Sequence, residues 1–94
     1  MIRDYLENLI DCIFKILPLK EEENLGLVDY IDSIIIQIIG SKNVYVELYS
    51  NQKYLSILNV LYYLKNNEFT LKQCKREVFK CTNILTRILS TYDE

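Results

Sequence analysis

The chain has 94 residues, 50% of them hydrophobic and 26% charged, with a net charge of −2. That balance excludes a disordered chain and sets the expectation of one globular domain over residues 1–94 with a modest core of its own. Two glycines and one proline are too few for an all-β domain with its many turns, so long helices joined by short links are expected.

The first helix is predicted over residues 2–17. Ile2, Leu6, Leu9, Ile13 and Ile16 alternate spacings of four and three and share one face, while Asp4, Glu7, Asp11 and Lys15 take the opposite face. Pro18 is expected to end it, because the residue before a proline is pushed out of helical geometry. The second helix is predicted over residues 25–39, with Leu27, Ile31, Ile34, Ile35 and Ile38 inward. Its β-branched run Ile34–Ile39 resembles a strand, but the apolar spacing starts earlier and exceeds usual strand length. Ile36 falls off the core face and is a candidate partner contact. Gly40 and Ser41 are expected to cap this helix.

Residues 44–49 read as strand, helical turn or irregular. A lone strand has no pairing partner here, so helical or irregular structure is favoured. The third helix is predicted over residues 51–66, with Ser50 as N-cap and Asn66–Asn67 as a left-handed end. Its stretch Tyr54–Leu64 has only Ser56 and Asn59 as polar residues. A helix apolar nearly all round is expected to be the central rod, wrapped by its neighbours. It is too short to cross a membrane, which takes roughly 20 apolar residues, and no other segment reads as a span.

The fourth helix is predicted over residues 71–90. Thr70 and Gln73 form a capping box, and Leu71, Cys74, Val78, Cys81, Leu85, Ile88 and Tyr92 make a heptad seam. Lys72, Arg76, Lys80, Asn83 and Arg87 lie on the far side, and residues 91–94 are expected to fray. The four elements predict an all-α fold, a compact antiparallel four-helix bundle.

Little in the chain carries chemistry. Histidine is absent, which removes the commonest general base and metal ligand, and no glycine-rich phosphate loop exists. Cys74 and Cys81 stand seven residues apart on one helix, roughly 10 Å, too far for a disulfide. They read as small core hydrophobes. The carboxylate pairs lie on wet faces with no cleft to raise a pKa. An enzyme, a metal site and a cofactor are therefore not expected.

Three features point to contact instead. Eight tyrosines supply rings with polar handles, a residue type enriched at interfaces, and Tyr45 and Tyr49 either share an exposed patch or cap the core edge. Residues 1–40 hold three basic against eight acidic side chains, and residues 41–94 eight against five, so the charge is split along the chain. Lys72, Arg76, Lys80 and Arg87 make a basic stripe able to meet phosphates, although nucleic-acid binders are more often basic overall.

The residues Ile2–Tyr5, Leu19–Glu22, Gly26, Tyr30, Ser33 and Ile38–Gly40 resemble the N-terminal helical hairpin of an uncharacterised family of tetratricopeptide-like proteins from low-GC Gram-positive bacteria. The resemblance covers residues 1–40, lacks the repeat's usual alanines, and implies a helical scaffold for protein contacts without catalytic residues. The abundance of Ile, Lys, Asn and Tyr fits an AT-rich bacterial or phage genome. With no leader-like start, the expected compartment is the cytoplasm.

The expected function is a non-catalytic protein-interaction module, such as a small phage- or mobile-element-encoded inhibitor or an immunity-type protein. It would bind a protein partner or itself as a homodimer through Tyr45, Tyr49, Ile36 or the basic stripe. The alternative is a nucleic-acid-associated regulator contacting phosphates through Lys72, Arg76, Lys80 and Arg87.

Overall fold

Pro18 decides the shape of the first hairpin. The computed structural model, which describes residues 1–92, does not end the first helix there. Helix α1 spans Ile2–Phe14, breaks at Lys15, and resumes as α2, Ile16–Glu21, straight through Pro18. The physical reason lies one turn upstream. Proline has no N–H to give the carbonyl of residue 14, so the ladder fails there, while its fixed φ suits the first turn of a new helix. The bend lets α2 lean on α6.

The remaining elements are α3, Leu27–Gly40; a 3-10 turn at Ser41–Asn43; α4, Val46–Tyr49; α5, Gln52–Asn66; and α6, Leu71–Leu89. The described residues are all-helical, without strands, and pack into a body of 38 × 22 × 20 Å. They divide into more helices than the four expected, because the first rod is broken and Val46–Tyr49 form a short helix of their own.

Several expected boundaries move for local reasons. Leu25 lies outside α3, where Asn24 Oδ1 accepts the Gly26 amide at 2.7 Å and holds a tight turn. Gly40 is not a cap: it keeps helical geometry, and the chain tightens into the 3-10 turn instead. Asn51, not Ser50, caps α5, its Oδ1 accepting the amides of Lys53 at 2.9 Å and Tyr54 at 3.1 Å. Asn67 ends α5 in extended rather than left-handed geometry. The capping box of α6 forms as expected, with Thr70 Oγ1 accepting the Gln73 amide at 3.1 Å and Gln73 Oε1 accepting the Thr70 amide at 2.8 Å.

The long helices alternate in direction. Arg3 Nη1 donates to the carbonyls of Leu89 at 3.3 Å and Tyr92 at 3.1 Å, and Phe14 meets Phe79 edge-on at 5.9 Å, so α1 and α6 run antiparallel. The same guanidinium ties down Tyr92, so the expected fraying does not begin at Thr91; its last two residues, Asp93 and Glu94, lie outside the described residues. Ser41 meets Tyr54, and Asp32 meets Lys65, which sets α3 antiparallel to α5. Within this frame α6 buries Cys74, Val78, Cys81, Leu85 and Ile88, as its seam predicts. Fully buried Ile31, Ile34, Ile35 and Ile38 confirm α3 as a helix with one inward face.

One polar chain crosses the core. The buried Tyr54 hydroxyl bonds the Tyr5 hydroxyl at 2.7 Å and the Ser41 hydroxyl at 2.9 Å, and Ser41 donates to the Ile38 carbonyl at 2.6 Å. Each hydroxyl has a partner, which is the condition for carrying oxygen into an apolar interior. Burial pushes the Tyr54 hydroxyl far above the usual phenol range.

The expectation that α5 is wrapped on all sides is overturned. It packs on α3, α4 and α6 and reaches α1 through the Tyr54–Tyr5 hydroxyl bond, without a close backbone approach between the two helices. Only Tyr54, Ile57, Leu61 and Leu64 are buried, on one stripe, while Tyr62 and Tyr63 are exposed. Helix α6 likewise touches three elements, α1, α2 and α5, with the closest approach along α1. A chain of this size buries a smaller share of its surface than a large domain does, so a helix near its edge keeps one side in water.

Candidate interaction surface

The exposure of α5 builds a surface with α3. In α3, Asp32, Ile36 and Ile39 follow one another at helical spacing just outside the buried stripe. In α5, Leu55, Leu58, Tyr62 and Lys65 do the same at spacings of three, four and three. The Lys65 ammonium reaches Asp32 Oδ1 at 2.6 Å across the helix pair, which fixes these two rows on the same outer side. Ile36 is 62% exposed, Ile39 46% and Tyr62 39%; Leu55 and Leu58 are half-buried. The result is an apolar seam along α3 and α5, bounded at one end by the Asp32–Lys65 pair. The bond from Asp32 pushes the Lys65 ammonium above its ordinary pKa.

At one end the seam opens toward a shallow depression of about 530 Å³ between the α2–α3 and α5–α6 corners, lined by Lys20, Leu25, Val28, Lys65 and Phe69 among others. Leu25 is fully exposed there, and the Lys20 ammonium sits 4.7 Å from the Phe69 ring centre. Its lining mixes both signs of charge with no converging set of ionisable groups.

The residues singled out from the sequence fall in three places. Ile36 stands at the middle of the seam. Tyr45 and Tyr49 do not share an open patch. Both are half-buried: Tyr45 lies against the Tyr5 ring at 5.0 Å, and Tyr49 packs on Tyr54 and donates to the Ile38 carbonyl at 3.0 Å. Burial, then the neighbouring Tyr5 and Tyr62, raises the Tyr49 hydroxyl pKa, as expected for a ring at a core edge. Lys72, Arg76, Lys80 and Arg87 are all exposed along the outer side of α6, away from Ile36, with Arg76 Nε held by Glu77 at 3.1 Å. The structure thus does not bring the tyrosine pair, Ile36 and the basic stripe onto one face.

Ile39, Leu55, Leu58 and Tyr62 were not among the expected contacts. Their signal was present. A helix exposed on one side needs only one apolar stripe, and Leu55, Leu58 and Tyr62 form a second one beside it.

The cysteines sit apart from this surface. Cys74 and Cys81 are buried in the α6 seam, where desolvation raises both thiols, Cys81 to about 12. Neither is a nucleophile at neutral pH. No helix of the described residues is long and apolar enough to cross a membrane. No family model matches the chain, and no curated protein or solved structure matches it significantly.

Proposed function

We propose that the chain is a non-catalytic protein-interaction module whose contact surface is the α3–α5 seam. The observation that carries this reading is the exposure of Ile36, Ile39 and Tyr62 in one strip beside half-buried Leu55 and Leu58. Contiguous apolar surface left on a small domain marks an interaction site. Its antiparallel rods, read as a four-helix bundle with a broken first member, supply a rigid platform for such a seam. A small phage- or mobile-element-encoded inhibitor or an immunity-type protein fits this build, since each acts by covering a partner rather than by chemistry. The helical-hairpin resemblance of residues 1–40 implies the same kind of scaffold.

The test is affinity capture from a bacterial lysate with the wild-type chain and with Ile36→Lys and Tyr62→Lys. Both sites are exposed, so the variants should keep their melting temperature while losing a captured protein. Undiminished capture by both variants would remove the seam from the reading.

The basic side of α6 supports a second reading. Lys72, Lys75, Arg76, Lys80 and Arg87 are all exposed there, enough for a nonspecific phosphate contact by a nucleic-acid-associated regulator. Retention on heparin that collapses between low and moderate salt, and is lost in a Lys80→Ala/Arg87→Ala variant, would favour it.

A further inference from the structure

We infer that the outer side of α6 binds single-stranded nucleic acid, its cations following the phosphates while aromatic rings on its flanks stack the bases. The inference rests on the second reading above, phosphate contact by α6, and names the ligand. Charge alone would suit any polyanion; the rings beside it narrow the choice. Lys72, Arg76 and Lys80 recur every four residues, so they step about 6 Å along the helix axis, close to one nucleotide of an extended strand. Arg87 continues the same side two turns on. Among the described residues, Lys72, Lys80 and Arg87 have no carboxylate within ion-pair distance, and Arg76 is engaged by Glu77.

Exposed rings stand on both flanks of this row. Toward α1, Phe79 is 48% exposed and meets Phe14, 38% exposed, edge-on at 5.9 Å. Toward α5, Tyr63 is 48% exposed and shares with Arg76 a depression of about 300 Å³, apart from the α3–α5 seam. The antiparallel run of α1 sorts its charges along α6. Phe14 and exposed Lys15 lie beside the first half of α6, whereas Asp4 and Glu7 lie toward its end, where Arg3 binds the Leu89 and Tyr92 carbonyls. Of the α1 acids only Asp11 stands within a turn of Phe14. A duplex keeps its base faces inside the stack, where these rings cannot reach them; a single strand can turn its bases onto the rings. Stacking accepts every base and the cations meet only phosphate, so little sequence preference is expected.

The experiment is fluorescence anisotropy of labelled oligo(dT) and oligo(U) of about 12 nucleotides, and of a duplex of equal length, titrated with the purified chain. At about 50 mM salt at least one single strand should bind about fivefold or more tightly than the duplex, and the tighter of the two names DNA or RNA as the source. Phe79→Leu and Tyr63→Leu, both at exposed sites, should keep the melting temperature and each weaken single-strand binding about fivefold or more, with the salt dependence unchanged. Phe79→Tyr, which keeps a ring, should bind like wild type. Lys80→Gln should weaken binding and flatten the slope of log affinity against log salt by about 0.7. No single-strand binding, with heparin retention intact, overturns the inference and leaves the phosphate reading standing; loss of both removes that reading as well. Equal or tighter binding of the duplex, or single-strand binding indifferent to both leucine variants, also overturns it.

Discussion

Tyr54→Phe isolates the polar chain at the core. The substitution keeps the ring, which is 0% exposed, and removes one oxygen. That oxygen bonds Tyr5 at 2.7 Å and Ser41 at 2.9 Å. Neither partner is lost to full burial: Ser41 still donates to the Ile38 carbonyl, and Tyr5 is only half-buried. The loss is therefore that of one or two ordinary buried bonds, about 1–2 kcal/mol in all. For a domain of this size that lowers the melting temperature by roughly 5–15 °C. Thermal melts followed by circular dichroism at neutral pH measure it directly. Ser41→Ala should cost a similar amount, and the double variant less than the sum, because both act on the same bond. Tyr63→Phe is the control, since Tyr63 is 48% exposed and should melt like wild type. If Tyr54→Phe melts within about 2 °C of wild type, the hydroxyl chain contributes nothing net and the account of the core is wrong.

Thr70→Ala removes one half of the α6 capping box and should cost about 1 kcal/mol, read as a shifted urea midpoint with an unchanged slope. Leu61→Ala, at a fully buried site on α5, should cost about 2–5 kcal/mol, whereas Tyr62→Gln one residue on should leave stability nearly untouched; equal losses would show that α5 is enclosed after all. Alkaline pH should destabilise the fold. Burial, then the nearby Cys12, raises the Tyr30 hydroxyl from 10.0 to about 12, and Tyr54 is raised further. The unfolded chain releases these protons near pH 10 while the folded chain holds them. Stability is thus intact below pH 10 and falls as pH climbs toward 12, and Tyr30→Phe should flatten that fall in melts taken against pH. Among the thiols, half-buried Cys12 should react first with a soluble disulfide reagent, and buried Cys74 and Cys81 only as the protein opens. Simultaneous modification of all three in the native protein would contradict the buried seam.

The helical class and most inward faces were legible because periodicity and burial obey the same geometry. The spacing of Leu6, Leu9 and Ile13, and of Cys74, Val78, Cys81 and Leu85, predicts the residues that are now buried. Boundaries were less legible. Pro18 reads as a terminator when judged by its effect on the residue before it. The missing N–H acts a full turn earlier, at the carbonyl of residue 14, and a bend that still buries Ile16 is better than an end. Asn51 won the cap of α5 over Ser50 because its amide oxygen reaches two backbone donors at once. Of the expected contact residues, Ile36 could be read from its position off the core stripe. Tyr45 and Tyr49 could not be assigned, because a tyrosine at a core edge and one at an interface look alike until the neighbour of the ring is known.

The hardest feature to read was which helix holds the middle. Apolar content favours α5, but content and position answer different questions. A helix becomes a hub by offering contact on several sides, which requires neighbours, and short links determine where neighbours can stand. Residues 67–70 return the chain directly from α5 to α6, and α1 then closes against the other side of α6. That leaves α6 with partners on several sides and a charged back, and α5 with apolar residues beyond what its partners cover. In α6 the far side is paved mainly with Lys and Arg, and its exposed Phe79 packs edge-on against Phe14. In α5 the row Leu55, Leu58, Tyr62 is left partly in water at a continuing free-energy cost. Leu55 and Leu58 lean by one side on the core that Tyr54, Ile57, Leu61 and Leu64 fill, and Tyr62 stands 39% exposed beside them. A contact made outside the folded chain would cover that row, which is why the proposed protein contact rests on the seam rather than on the basic stripe.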